Sequence, residues 1–379
     1  MRISVSRDAL ADAAAWVARA IPSMSAVPIM SGMLVESDGE RLTLSGWDYE
    51  ISLQASVPVE VADTCRFLVP GKLLAQVLQS MPARQILDIE VSDSSVTVTS
   101  GKPRFTLPRM PEDDYPTLPT IPEPCGTVDA VDLRRAIEQT KFVPEVGSQL
   151  ATITGVMFDI DGDQLTVMAT DRYRVAMVPL SWEPVEDLVA AAIVSPAFLE
   201  DVARAAEGEV GLVLAGDRGM EGGVLRPAMI GFQMGDRQAI ARLIDADTVN
   251  YRTFVNGAKG GSTTVITPVA PLVEAIKRAK LVLEKNKPVY VTFDADGGML
   301  LESGEDAKAM AEPLEAEVTG EGMRMALGAE FLLQALSAFR STSIRWSLHG
   351  PKKSVLFTPA DAPEGDADYF HVLMTVQPR

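Results

Sequence analysis

Hydrophobic and polar positions along this chain change period repeatedly, and the changes mark out its elements. Residues 2–5 and 49–57 alternate, as half-buried strands do. Residues 9–20 are Ala-rich with apolar positions at helical spacing, and Ser6 stands where an N-cap is expected. Helices are predicted likewise at 72–80, 131–143, 198–206, 271–284 and 331–339. Further strands are predicted at 28–35, 86–91, 95–100, 155–160, 165–171, 172–180, 210–214, 229–234, 289–293, 309–318, 343–348, 354–357 and 371–376. The order is strand, helix, several strands, helix, several strands, and it occurs three times.

One phrase marks the repeat. Residues 42–48 (LTLSGWD), 165–171 (LTVMATD) and 299–306 (MLLESGED) occupy the same place in each unit. Three copies of one α+β unit account for 379 residues better than two unrelated domains. The period far exceeds that of a solenoid, so each unit carries its own core. The middle copy continues as ATDRYRVA, residues 169–176. Taken alone it is a β-turn with an aspartate and two flanking arginines.

Composition narrows the function. The chain is 47% hydrophobic, and no apolar run reaches the roughly 20 residues of a membrane helix. Arg7, Asp8 and Asp12 interrupt the apolar N-terminal stretch, against a signal peptide. Two cysteines, Cys65 and Cys125, suit a reducing cytoplasm without a disulfide framework. Two histidines and no HExxH or CxxC argue against a metal site; no cofactor is expected. No nucleophile–base pair stands out, and the carboxylates Glu112, Asp113 and Asp114 read as a solvated loop, so no catalytic residue is assigned. The Gly-rich residues 257–262 lack a Walker ending and read as a linker. A net charge of −18 opposes nucleic acid at long range, but a basic lining inside an acidic body is compatible with it.

In order and spacing, the chain resembles the bacterial DNA polymerase III β subunit, the sliding-clamp family. The resemblance rests on ATDRYR, on Arg104-Phe-Thr-Leu-Pro followed by Asp114-Tyr-Pro, on residues 245–252 (DADTVNYR), and on Val372-Leu-Met. It implies three tandem clamp domains (1–124, 125–256 and 257–379) and a head-to-tail homodimer forming a closed ring, helices inside and sheets outside. Such a ring encircles duplex DNA without reading sequence, is placed by a clamp loader, and binds the replicative polymerase and repair factors through short linear peptides. It is a cytoplasmic, non-catalytic subunit.

The resemblance places the peptide cleft between the second and third units. Its implied residues are Ile153, Thr170, Arg172, Tyr173, Arg174, Val175, Val249, Asn250, Arg252, Phe254, Lys352, Met374, Thr375, Val376 and Gln377. The implied DNA-facing residues are Arg19, Arg134, Arg135, Lys141, Lys277, Arg278 and Lys280. Several positions depart from the family's habit. Thr248-Val249 stands for Phe-Pro, and Thr375 and Gln377 stand for Pro and Arg at the C-terminal strand. Lys352 and Ser354 differ from the residues usual in related actinobacterial clamps. Met24 and Ser195-Pro-Ala197 replace more basic residues. Departures gathered in one pocket suggest a specialised second clamp tolerant of a cleft-binding inhibitor. The alternatives are neutral drift in a housekeeping clamp and a peptide-binding scaffold that does not load on DNA.

Overall fold

The computed structural model describes residues 1–23, 27–218, 224–285, 287–305 and 308–377. Met24 and Asp306, both singled out above, lie outside them. Seven α-helices are described: α1 (Arg7–Val17), α2 (Gly71–Ser80), α3 (Ala130–Thr140), α4 (Pro196–Ala205), α5 (Tyr251–Ala258), α6 (Val269–Ala279) and α7 (Ala329–Ser337). All except α5 were expected, within a few residues. Residues 18–20 form a 3₁₀ turn rather than the end of α1. Ser6 precedes α1 without a side-chain capping bond, whereas Asp129 Oδ1 caps α3 by accepting from Val131 and Asp132 N–H.

Each helix buries one stripe. In α6 it is Leu272, Ala275, Ile276 and Ala279, the i, i+3, i+4, i+7 pattern of a helix lying on a sheet. The helices pack in pairs, α1 with α2, α3 with α4, and α6 with α7, one pair per unit. The core beneath them is mostly Leu, Val and Ala. In the third unit Trp346 lies edge-on to Phe293 and Phe357 at 5.3 and 4.6 Å between centroids, the arrangement aromatic quadrupoles favour.

The first and third units each divide their strands between two sheets, whereas those of the second all lie in one. In the first, Ile51–Pro58, Arg41–Trp47, Gly32–Ser37 and Cys65–Pro70 form one; Val61–Ala62, Arg2–Ser6, Ile86–Val91, Ser95–Thr99 and Arg104–Pro108 form the other. The units are joined by strand pairing. Arg237–Arg242 pairs antiparallel with Ile51–Pro58, and Arg174–Leu180 with Phe370–Leu373. One continuous sheet of 18 strands therefore crosses both junctions.

The helices also meet across the junctions. Arg19, just past α1, pairs with Asp201 on α4. Gln139 on α3 donates to the Ala338 carbonyl at the end of α7, and Arg340 pairs with Glu138. The row α2, α1, α4, α3, α7, α6 is thus contiguous. Among the strands that end a sheet are Arg104–Pro108 in the first unit and Lys308–Leu314 in the third. Phe105 on the first is 39% exposed.

Candidate functional site

The ATDRYR turn sits at the second junction, and its backbone is set by one aspartate. Asp171 Oδ1 accepts from the N–H groups of Tyr173 and Arg174, both at 3.0 Å. Thr170 Oγ1 accepts from Arg172 N–H at 3.2 Å and donates to the Arg174 carbonyl at 2.7 Å. Arg172 is held at φ 79°, a left-handed conformation uncommon for a residue with a side chain. The first unit repeats the device: Asp48 Oδ1 accepts from Glu50 and Ile51 N–H, and Tyr49 has φ 76°. The third copy's aspartate is not among the described residues.

What differs in the middle copy is the side chains. Arg174 is buried, and its Nε donates to Asp171 Oδ2 at 2.9 Å. Its Nη1 donates to Gln334 Oε1 at 2.7 Å and its Nη2 to the Phe142 carbonyl at 3.2 Å. The guanidinium lies over the rings of Phe142 and Phe331, at 5.2 and 4.8 Å. Tyr173 stacks on Phe331 at 5.8 Å and remains 52% exposed. Arg172 lies over the Tyr173 ring, its guanidinium carbon 5.9 Å from the centroid, and pairs with Glu145 at 3.0 Å.

The C-terminal strand runs alongside. Met374 N–H donates to the Tyr173 carbonyl at 2.8 Å, and Val376 N–H to the Ala326 carbonyl at 2.8 Å. Met374 is half exposed beside the turn. Thr375 is half-buried and Gln377 exposed. Val376 and Gln377 line a hollow of about 190 Å³ with Tyr290, Arg324, Pro351 and Lys352. Arg324 covers Tyr290 at 4.6 Å, giving this end an aromatic and cationic wall.

The other expected residues are placed as follows. Ile153 is buried in a short 3₁₀ turn whose Thr152 donates to the Asp247 carbonyl, which brings the loop carrying Val249 to the same junction. Val249 is 42% exposed. Val175 is buried behind the turn, in a cluster with Met157, Met168, Met177, Ile193 and Val255. Asn250 caps α5 by accepting from Thr253 N–H. Arg252 is pinned to Asp159 at 2.7 Å and Gln164 at 2.8 Å. Asp159 faces Thr166, about 13 Å along the strand from Thr170 at the usual rise. Arg252 is therefore held some way along the strand from the turn, and Phe254, two residues on and off that face of α5, is exposed. Phe331 and Gln334, absent from the sequence-based set, complete the turn's surroundings.

Beneath the turn, His371 is fully buried. Its Nδ1 lies 2.9 Å from the Tyr369 hydroxyl, and its Nε2 has no hydrogen-bond partner. Burial, and secondarily the Arg174 charge, lowers its pKa to about 3, so the ring is neutral at physiological pH.

On the helical side, the expected cations are occupied. Lys141 meets Glu200 at 3.0 Å, Lys277 meets Glu274 at 2.7 Å, Arg278 meets Glu312 at 2.5 Å, and Lys280 meets Glu330. Arg19 meets Asp201 at 2.5 Å; burial raises the Asp201 carboxyl's pKa, against the pull of Arg19. Arg135 reaches Asp132 and Asp368, and Arg134 donates to the Ala206 carbonyl. Charges on these six helices nearly cancel, so the −18 resides almost wholly elsewhere. Among the described residues, no group of three or more His, Cys, Asp or Glu could hold a metal ion, and no helix is long and apolar enough to cross a membrane.

Comparison with known proteins gives consistent matches. Family models for the DNA polymerase III beta subunit match as N-terminal domain over residues 1–119, central domain over 127–248 and C-terminal domain over 259–376. A beta sliding clamp from Streptomyces coelicolor is 36% identical, covering 100% of this chain and 99% of the relative. The beta sliding clamp homolog GriR from Streptomyces muensis is 31% identical over 97% of this chain and 96% of its own. A crystal structure of the DNA polymerase III subunit beta from Pseudomonas aeruginosa superposes over 100% of both chains with a TM-score of 0.88 at 24% identity. A second structure from that organism, equally similar, is of a sliding clamp bound to griselimycin.

Proposed function

The chain belongs to the bacterial DNA polymerase III β-subunit family, the sliding clamps, and from that premise we propose how this one works. It is a DNA sliding clamp of three tandem clamp domains, and the family is a non-catalytic processivity factor. Two copies associate head to tail, the Arg104–Pro108 edge of one beside the Lys308–Leu314 edge of the other, and close a ring around duplex DNA. The domains are 1–124, 125–256 and 257–379, the last boundary falling inside α5. The observation that carries this reading is the continuity of both layers: sheets joined strand to strand, and helices joined by ion pairs, make a single arc with an unpaired edge at each end. A topological link needs little affinity, so loose phosphate contacts by Arg19, Arg134, Arg135, Lys141, Lys277, Arg278 and Lys280 suffice and permit sliding.

Partners — the clamp loader, the replicative polymerase and repair factors — dock short peptides along Tyr173, Phe331, Met374 and the hollow at Val376. Exposed apolar walls with few polar groups suit peptide anchors. Protein of this kind works in the cytoplasm. The test is retention on nicked circular DNA in the presence of a clamp loader. Expected is persistence on circles and loss from linear DNA; equal loss from both would reject the ring and leave a peptide-binding scaffold.

A second reading concerns the cleft's departures. Lys352 and Gln377 line the same hollow, Thr375 lies two residues before Gln377, and one relative is the GriR homolog. A specialised clamp that tolerates griselimycin fits these facts. Titration calorimetry with griselimycin decides it: binding much weaker than to the Streptomyces coelicolor clamp supports tolerance, and equal binding removes it.

A further inference from the structure

A chain of polar contacts runs from the helical face to the cleft. Lys280, at the C-terminal end of α6, pairs with Glu330 Oε2 on α7. One turn on, Gln334 Nε2 donates to Glu330 Oε1 at 3.3 Å. The Gln334 Oε1 accepts from buried Arg174, and Arg174 holds Asp171, whose other oxygen fixes the Tyr173 amide. The amide of Gln334 has one consistent orientation, because a guanidinium only donates and a carboxylate only accepts. Tyr173 in turn rests on Phe331, the residue after Glu330. Each step is a direct contact, and the chain joins two units through the Arg174–Gln334 bond, between residues 160 apart in sequence.

We propose that Gln334 is a positioning residue of the partner cleft, and that through Glu330 and Lys280 it raises the cleft's peptide affinity when DNA occupies the ring. This rests on the ring and cleft reading above. Two states are defined at Lys280. Without DNA its ammonium neutralises Glu330. With a phosphate near, the ammonium moves to the phosphate, and Glu330 is left with Gln334 as its side-chain partner. The freed carboxylate then holds the Gln334 amide more firmly with its oxygen toward Arg174, and its negative charge favours the buried guanidinium. The Arg172 turn, and with it Tyr173, is fixed in the conformation that receives a peptide. By linkage, peptide also strengthens phosphate contact at Lys280 by the same factor. The pair is half exposed, which keeps the effect at the low end for such coupling, about fivefold.

The experiment measures affinity of the intact dimer for a labelled linear peptide that binds the wild-type cleft. It is done free in solution and loaded on nicked circular DNA. The expected wild-type result is binding about fivefold tighter on DNA. Lys280→Met leaves Glu330 free without DNA, so it should bind peptide in solution about fivefold tighter than wild type and show no further gain on DNA. Gln334→Leu should weaken peptide in solution about tenfold, since it leaves a buried guanidinium N–H unpaired. Gln334→Glu keeps an acceptor for Arg174 but repels Glu330, so it should retain peptide binding and lose the gain. Scanning calorimetry confirms that each variant is folded. Wild-type affinity for Gln334→Leu, or an undiminished gain in Lys280→Met, would overturn the proposal while leaving the clamp reading intact. A wild-type protein that binds no peptide, or is not retained on circles, would instead overturn the reading beneath it.

Discussion

Replacing Arg174 by methionine tests whether the buried ion pair governs the second junction. The change keeps most of the side chain's volume and removes its charge. Arg174 and Asp171 have side chains only 4% and 9% exposed, so the aspartate left behind is an uncompensated buried charge. Truncating one member of such a pair costs about 3–5 kcal/mol. Asp171 retains two backbone donors, Tyr173 and Arg174 N–H, which places the cost near the lower limit, about 3 kcal/mol. Gln334 and the Phe142 carbonyl also lose their donor. For a cooperative unit of roughly 150–250 residues, 3 kcal/mol corresponds to a fall of about 6–12 °C in Tm. Differential scanning calorimetry reads it as a shift of the transition that contains the second and third units. Asp171→Asn combined with Arg174→Met removes both charges, so the double variant should recover much of the loss. A single variant that melts within 2 °C of wild type, or a double variant no better than the single, would refute the reasoning.

Other predictions follow from named contacts. His371→Phe removes a ring that burial keeps neutral: the unfolded chain takes up a proton below its ordinary pKa of 6.5, but the folded one does so only near 3. Wild-type stability from this group is therefore full above about 6.5 and falls by about 1.4 kcal/mol per pH unit between there and 3, a slope that urea titrations should show reduced in the variant. Asp201→Asn frees Arg19 for phosphate, so the slope of log Kd against log salt for DNA should steepen by about 0.9. Phe105→Asp places a charge on the unpaired edge strand; sedimentation at micromolar concentration should show a dimer for wild type and a monomer for the variant.

How much was legible in the sequence depended on whether the determining contacts were local. The six unit helices were readable because their apolar stripes are set by neighbours three and four residues away. The Asp171 turn was readable as a turn because its aspartate bonds its own backbone two and three residues on. The helix α5 was missed, although Asn250 is a good N-cap and Tyr251, Val255 and Ala258 share one face; the Gly-rich run beginning inside it suggested a linker. Phe331 and Gln334 gave no local signal. They are positions on an ordinary amphipathic helix until the fold brings Tyr173 and Arg174 across from another unit. Arg252 shows the converse: the family resemblance put it with the cleft, but its partners Asp159 and Gln164, about 90 residues away, gave no local signal.

The same distinction explains the charge. Counting residues gives a strongly acidic chain and a set of helix cations, which suggests a basic lining in an acidic shell. Long-range pairing alters that conclusion. Arg19 is neutralised from the next unit, and Lys141 and Lys280 from neighbouring helices of their own units. A lining whose cations already hold carboxylates gives a phosphate only the difference between two exposed ion pairs, each worth about 1 kcal/mol or less. In the proposed ring no single phosphate contact would then be deep enough to arrest it, and the next phosphate along the duplex would offer the same small difference. In the proposed ring, neutralisation of the helical face would therefore follow from the need to slide, whereas strong net charge elsewhere would keep separate rings apart. The two requirements coexist because one acts over a contact and the other over a surface, and at physiological ionic strength a Debye length of about 8 Å separates them.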